Sequence, residues 1–98
     1  MIKYEFARVE GNDQAVCTNY GELEELYKSI EKELLPLNSK YKPRMTNDEL
    51  KFTIEIPGAW STSTNPVRWW LIKWFTERGW EPFSHFDTVY SFRRRVEE

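Results

Sequence analysis

The chain reads as an α+β domain: a four- or five-stranded, mainly antiparallel sheet with two helices packed on one face. Three observations lead there. Leu50, Phe52, Ile54 and Ile56 alternate with Lys51, Thr53 and Glu55, the period of a half-buried strand. Leu23, Leu26, Tyr27, Ile30 and Leu34 recur at the spacing of one helical stripe. Asn65 to Trp80 (NPVRWWLIKWFTERGW) carries start and stop signals for a second helix, together with Trp69, Trp70, Trp74 and Trp80. Strands and helices mixed in this way bury their apolar faces most simply as two layers. The 98 residues fit one domain, 1–98.

Each element follows from local chemistry. Ile2, Tyr4 and Phe6 alternate with Lys3, Glu5 and Ala7, so the first strand has one apolar face. Glu10-Gly11-Asn12-Asp13 is turn chemistry, and Gln14 to Thr18 would return as the second arm of a hairpin. Asn19 caps the first helix, with Glu22 placed as in a capping box and Glu24 placed to pair with Lys28. Pro36 ends that helix. The polar segment from Leu37 to Asp48 reads as a loop before the strand of Leu50 to Ile56, which Pro57-Gly58 stops. Asn65 and Pro66 open the second helix and Gly79 closes it. Trp80 to Phe86 and Val89 to Val96 read as two strands joined across Asp87-Thr88. Pro82 suggests an edge or irregular pairing in the first of them.

Composition narrows the function classes. The formal net charge is −2, which gives no global field toward nucleic acid or an anionic membrane. One cysteine, Cys17, and one histidine, His85, leave no disulfide and no Cys- or His-rich metal site. No apolar run approaches the roughly 20 residues of a membrane span, and the N-terminus does not read as a signal peptide. A cytoplasmic protein without cofactor is the expectation.

Lys3-Tyr4-Glu5-Phe6, Leu71-Ile72-Lys73-Trp74-Phe75 with Gly79-Trp80-Glu81, and Tyr90-Ser91-Phe92-Arg93-Arg94 together resemble a kind of small uncharacterised bacterial and phage α+β protein. Such proteins open with a strand, continue with an amphipathic helix ending in Gly-Trp-Glu, and close with an aromatic and basic strand. The segment from Gly11 to Trp60 departs from the short form of that pattern. The resemblance implies a small α+β fold and brings no catalytic residues.

Candidate sites come from what the core does not use. On the second helix, Val67, Trp70, Leu71, Trp74 and Phe75 share one face, which leaves Trp69 and Ile72 off it. Either the loop before the helix, with Trp60, covers them, or they form a partner surface. The leading reading is a non-enzymatic protein-interaction module acting through Trp60, Trp69, Ile72 and Lys73, on a protein partner or as a homodimer. A second candidate is a small-molecule or anion site at the N-terminus of the second helix, with Ser61, Thr62, Ser63, Thr64 and Asn65. A third is nucleic-acid binding through Arg78, Arg93, Arg94 and Arg95, with aromatics stacking bases. Alternation opposes this third reading, because it sets Tyr90 and Phe92 opposite Arg93 and Arg95, and a charge-protected edge strand is the plainer explanation of the arginines. His85 and Cys17 have no evident catalytic partners, and Glu22, Glu24, Glu25, Glu31 and Glu33 are expected on a solvated face.

Overall fold

The computed structural model describes residues 3–11, 14–37, 40–46, 50–55 and 65–96. In chain order the elements are β1 (Lys3–Glu10), β2 (Gln14–Cys17), α1 (Tyr20–Glu33), β3 (Lys42–Thr46), β4 (Lys51–Glu55), α2 (Pro66–Glu77), β5 (Glu81–Phe86) and β6 (Val89–Val96). All pairings are antiparallel, in one sheet of order β3-β4-β2-β1-β6-β5. Both helices pack on one face of that sheet, as the alternation and the helical stripes require.

The sheet has six strands rather than four or five. The extra one is β3, in the segment expected to be a loop. Only Pro43 and Met45 of β3 turn toward the helices, while Lys42, Arg44 and Thr46 turn away, so a proline and two charges mask its alternation. It lies at an edge, where proline and lysine are tolerated.

The helices begin and end where capping chemistry places them. Asn19 Oδ1 accepts from the Gly21 amide at 2.9 Å, and Asn65 Oδ1 accepts from Val67 and Arg68 at 2.8 and 3.1 Å. Gly79 takes φ +87°, the left-handed position that glycine occupies without steric cost. Leu23, Leu26, Ile30 and Leu34 of the α1 stripe are buried. On α2, Val67, Leu71, Trp74 and Phe75 are buried, and Trp74 Nε1 donates to Ser29 Oγ of α1 at 3.0 Å.

Beneath the helices, Ala7, Val9, Ala15, Cys17, Phe52, Ile54 and Phe92 form the sheet side of the core. Phe75 stacks on Phe92 with ring centroids 5.5 Å apart, and Tyr27 meets Phe52 edge-on at 6.3 Å. Rings this size contribute about 1.5–3 kcal/mol each when fully buried. Burial also pushes the Cys17 thiol up to about 11, which disfavours its thiolate at neutral pH.

The alternation in β1 leaves open which of its faces meets the helices. Its core side is Ala7 and Val9, and Tyr4 and Phe6 lie on the opposite side, exposed. The small side chains are inward because α2 lies close over this strand, and Glu5 is turned inward to meet Arg94. The more apolar side of the first strand therefore faces away from the helices.

Candidate functional site on the open sheet face

The sheet face away from the helices collects the exposed aromatic side chains. Pairing sets Phe6 opposite Arg93 and Tyr4 opposite Arg95, all on this face. The β-bulge between Pro82 and Ser84 changes the phase of β5. Regular alternation would put Ser84 and Phe86 on the core side with Trp80. Instead Phe83 and Phe86 both lie on the open face, and His85 moves to the helix side, where it stacks on Tyr90 at 4.6 Å. Of the exposed large hydrophobics among the described residues, Tyr4, Phe6, Phe83 and Phe86 share this face, and only Leu37 and Trp69 lie elsewhere.

These side chains contact one another. Phe6 meets Phe83 edge-on at 6.1 Å. The Arg93 guanidinium carbon lies 5.0 Å from the Tyr4 ring centre and 5.6 Å from that of Phe83. Arg93 Nη2 reaches Glu81 at 3.5 Å, and its buried Nε has no hydrogen-bond acceptor. Leaving such a donor unpaired costs about 1–3 kcal/mol, so the aromatic contacts hold the side chain in place. Phe6 and Phe83 are 47% and 48% exposed, leaving ring area available to a ligand. Beside them a groove of about 380 Å³ runs between Phe6, Val16, Leu50, Phe83 and Ser91, with Arg8 at its wall. Arg8 pairs with Glu10 on the same face.

The two layers also differ in charge. The open face presents Arg8, Lys42, Arg44, Lys51, Arg93 and Arg95 against Glu10, Glu55 and Glu81. The outer side of α1 presents Glu24, Glu25, Glu31 and Glu33 against Lys28 and Lys32, and Lys28 pairs with Glu25 at 3.8 Å rather than with Glu24. A net charge of −2 for the whole chain conceals this separation.

The sequence-derived arginine set is divided between the faces. β6 is an inner strand, paired with β1 and β5, not a charge-protected edge. Arg93 and Arg95 are on the open face. Arg94 is on the helix side, its guanidinium 4.5 Å from the Trp80 ring centre, and it pairs with Glu5 at 2.5 Å and Glu22 at 3.4 Å. Arg78 donates through Nε and Nη2 to Glu22, each at 3.2 Å. Glu22 is thus buried rather than solvated, and Trp80 Nε1 donates to it as well at 3.3 Å. Burial alone would raise the Glu22 carboxyl pKa, but the bonds from Arg78 and Trp80 and the Arg94 charge outweigh it, so the value lies below the ordinary one. Glu22 is a structural cross-link and not the capping-box partner of Asn19, whose amide instead donates to Cys17 Sγ.

The α2 candidates are dispersed. Ile72 is buried, contrary to its expected place off the apolar face, because the buried side of α2 extends to Arg68 and Ile72. Trp69 is half exposed, and Lys73 is exposed and pairs with Glu77 at 3.6 Å. Trp60, Ser61, Thr62, Ser63 and Thr64 lie outside the described residues. Asn65 is buried with its Oδ1 engaged in capping.

Sequence reasoning weighed Arg93 and Arg95 but missed Tyr4, Phe6 and Phe83. Hydrophobic alternation places Tyr4 and Phe6 on one face without saying which layer covers it. Among the described residues no group of histidine, cysteine or carboxylate side chains is placed to hold a metal ion, and no helix is long and apolar enough to cross a membrane. Comparisons with protein-family models, characterised proteins and solved structures give no match.

Proposed function

We propose that the protein is a non-enzymatic binding module that takes single-stranded nucleic acid on the open face of its sheet. The observation that carries this reading is Arg93 held between exposed Tyr4 and Phe83, with Phe6 against Phe83, on the face opposite α1 and α2. Unpaired bases stack on aromatic faces, and guanidinium groups hold the intervening phosphates. The alternation that opposed nucleic acid in the sequence concerns Tyr90 and Phe92. The aromatics that accompany Arg93 come from the neighbouring strands β1 and β5. The acidic outer side of α1 repels a phosphate backbone and favours the sheet face for docking.

Fluorescence anisotropy with a labelled oligothymidylate tests the reading. Binding should weaken steeply between about 50 and 200 mM salt. Phe6→Ala and Phe83→Ala should each weaken it at least tenfold, since a stacked base contributes about 1–3 kcal/mol. Both side chains are about half exposed, so circular dichroism should show the fold retained. Absence of binding at low salt would overturn the proposal. So would equal competition by polyglutamate, which would mark the face as a general anion or acidic-peptide surface. The competing reading, a protein partner on α2, rests on half-exposed Trp69 beside Lys73. It requires Trp69→Ala, not Phe6→Ala, to abolish the interaction.

A further inference from the structure

We infer that the open face of the β3–β4 hairpin is a second, phosphate-holding subsite for the same nucleic-acid strand, which therefore runs across the sheet from β5 toward β3. This rests on the proposed function and adds a direction and a footprint to it. Pairing sets Lys42 opposite Glu55, Arg44 opposite Thr53 and Thr46 opposite Lys51. These side chains lie on the same sheet face as Phe6 and Phe83, and a hollow of about 290 Å³ is lined by Lys42, Arg44, Thr46, Thr53 and Glu55. It is chemically distinct from the aromatic groove. Among the described residues its lining has cations and hydroxyls, with Glu55, but no ring, a combination that holds phosphate oxygens and offers bases nothing to stack on.

The two regions are separated by β2, which contributes Gln14 and Val16 to the open face. Neighbouring strands lie about 4.8 Å apart, so β3 is roughly 14 Å from β1 and roughly 19 Å from β6. A strand anchored by its bases on the aromatic side reaches the hollow only after several nucleotides. A very short oligonucleotide occupies the aromatic side alone. Among the described residues Glu55 is the one carboxylate lining the hollow, set opposite Lys42. It opposes a phosphate there, which gives its substitution a definite sign.

The test compares oligothymidylates of about three and about twelve residues as competitors at low salt. In the wild-type protein the longer probe should bind at least tenfold more tightly. The double substitution Lys42→Ala with Arg44→Ala should weaken the longer probe about tenfold and the shorter by less than twofold. It should also lower the salt slope of the longer probe by about 1.4, about 0.7 for each lost phosphate contact on a single strand. Glu55→Gln should strengthen the longer probe. Equal effects of the double substitution on both lengths, or none on the longer, would overturn the subsite. The proposed aromatic site would stand in that case if Phe6→Ala still weakened both probes. Binding of neither probe would overturn both.

Discussion

Burial and ion pairing act in opposite directions on Glu22, and pairing wins. Its carboxyl titrates below the ordinary range because Arg78, Trp80 and Arg94 all favour the charged form. The consequence for stability has a definite sign. An acid whose pKa is depressed by folding stabilises fully above its unfolded pKa of about 4.3, and that stabilisation is lost as pH falls through the folded value. Thermal unfolding followed by circular dichroism should therefore show the melting temperature falling on acidification below about pH 4.3. Glu22→Gln should be less stable at pH 7 and should show a flatter acid limb. Glu22→Ala should cost about 2 kcal/mol or more at neutral pH, since it leaves Arg78 and Arg94 without their shared acceptor. An unchanged acid limb in Glu22→Gln would show that other carboxylates carry the acid sensitivity. Nothing in the spacing of Glu22 distinguished it from Glu24 or Glu25. Its partners are 56 residues or more away in the chain, so the signal is tertiary.

At the scale of elements, α2 is fixed to the sheet by a buried cation. Arg68 Nη1 donates to the carbonyls of Gly11 and Thr88 at 2.5 and 2.9 Å, and the Gly11 amide donates to the Thr88 carbonyl at 3.0 Å. One side chain in the first turn of α2 thus holds the β1–β2 turn beside the β5–β6 turn. Arg68→Ala strands the Gly11 carbonyl in a partly buried place, while the Thr88 carbonyl keeps the Gly11 amide, at a cost of about 1–3 kcal/mol if water does not enter. Urea unfolding should show a loss of at least about 1 kcal/mol. A smaller loss would mean that solvent satisfies the Gly11 carbonyl.

The elements themselves were largely legible. The caps of both helices, the Gly79 stop, the β1–β2 and β5–β6 hairpins and the range of β6 follow from turn and capping residues, which act locally. β3 was not legible, because an edge strand with Pro43, Lys42 and Arg44 has little hydrophobic alternation to detect. The facing of β1 and the phase of β5 were not legible either. Period two is symmetric between faces, and a bulge of one residue exchanges them. These two ambiguities hid the aromatic site: the alternation shows that Tyr4 and Phe6 share a face but not which layer it meets, and it separates Phe83 from Phe86, which the bulge brings together.

For the molecule as a whole, the two faces divide the aromatic residues by type. Among the described residues the tryptophans lie on the helix side, on α2 or just after it, and the open face holds tyrosine and phenylalanine. Binding on the open face should therefore leave tryptophan emission nearly unchanged. Titrating a Trp60→Phe variant with an unlabelled oligonucleotide checks this, with anisotropy of a labelled competitor as the binding readout. A large shift or quench accompanying binding would place the contact on α2 instead.

The pairing of β1 with β6 also bears on how the fold forms. Lys3 lies opposite Val96 and Glu10 opposite Val89, so a central pair of the sheet joins opposite ends of the described chain. Contacts of such long sequence separation close late, because the loop-closure entropy must be met before the pairing is gained. During synthesis β1 and β2 can form their hairpin early. The other edge of β1 then stays unpaired until β6 has left the ribosome, with Tyr4 and Phe6 uncovered on the strand's face beside it. For that interval the nascent chain exposes an unpaired strand edge, of the kind that pairs with other chains, next to aromatic side chains. Completion of the last strand removes the hazard and assembles the open face in the same step.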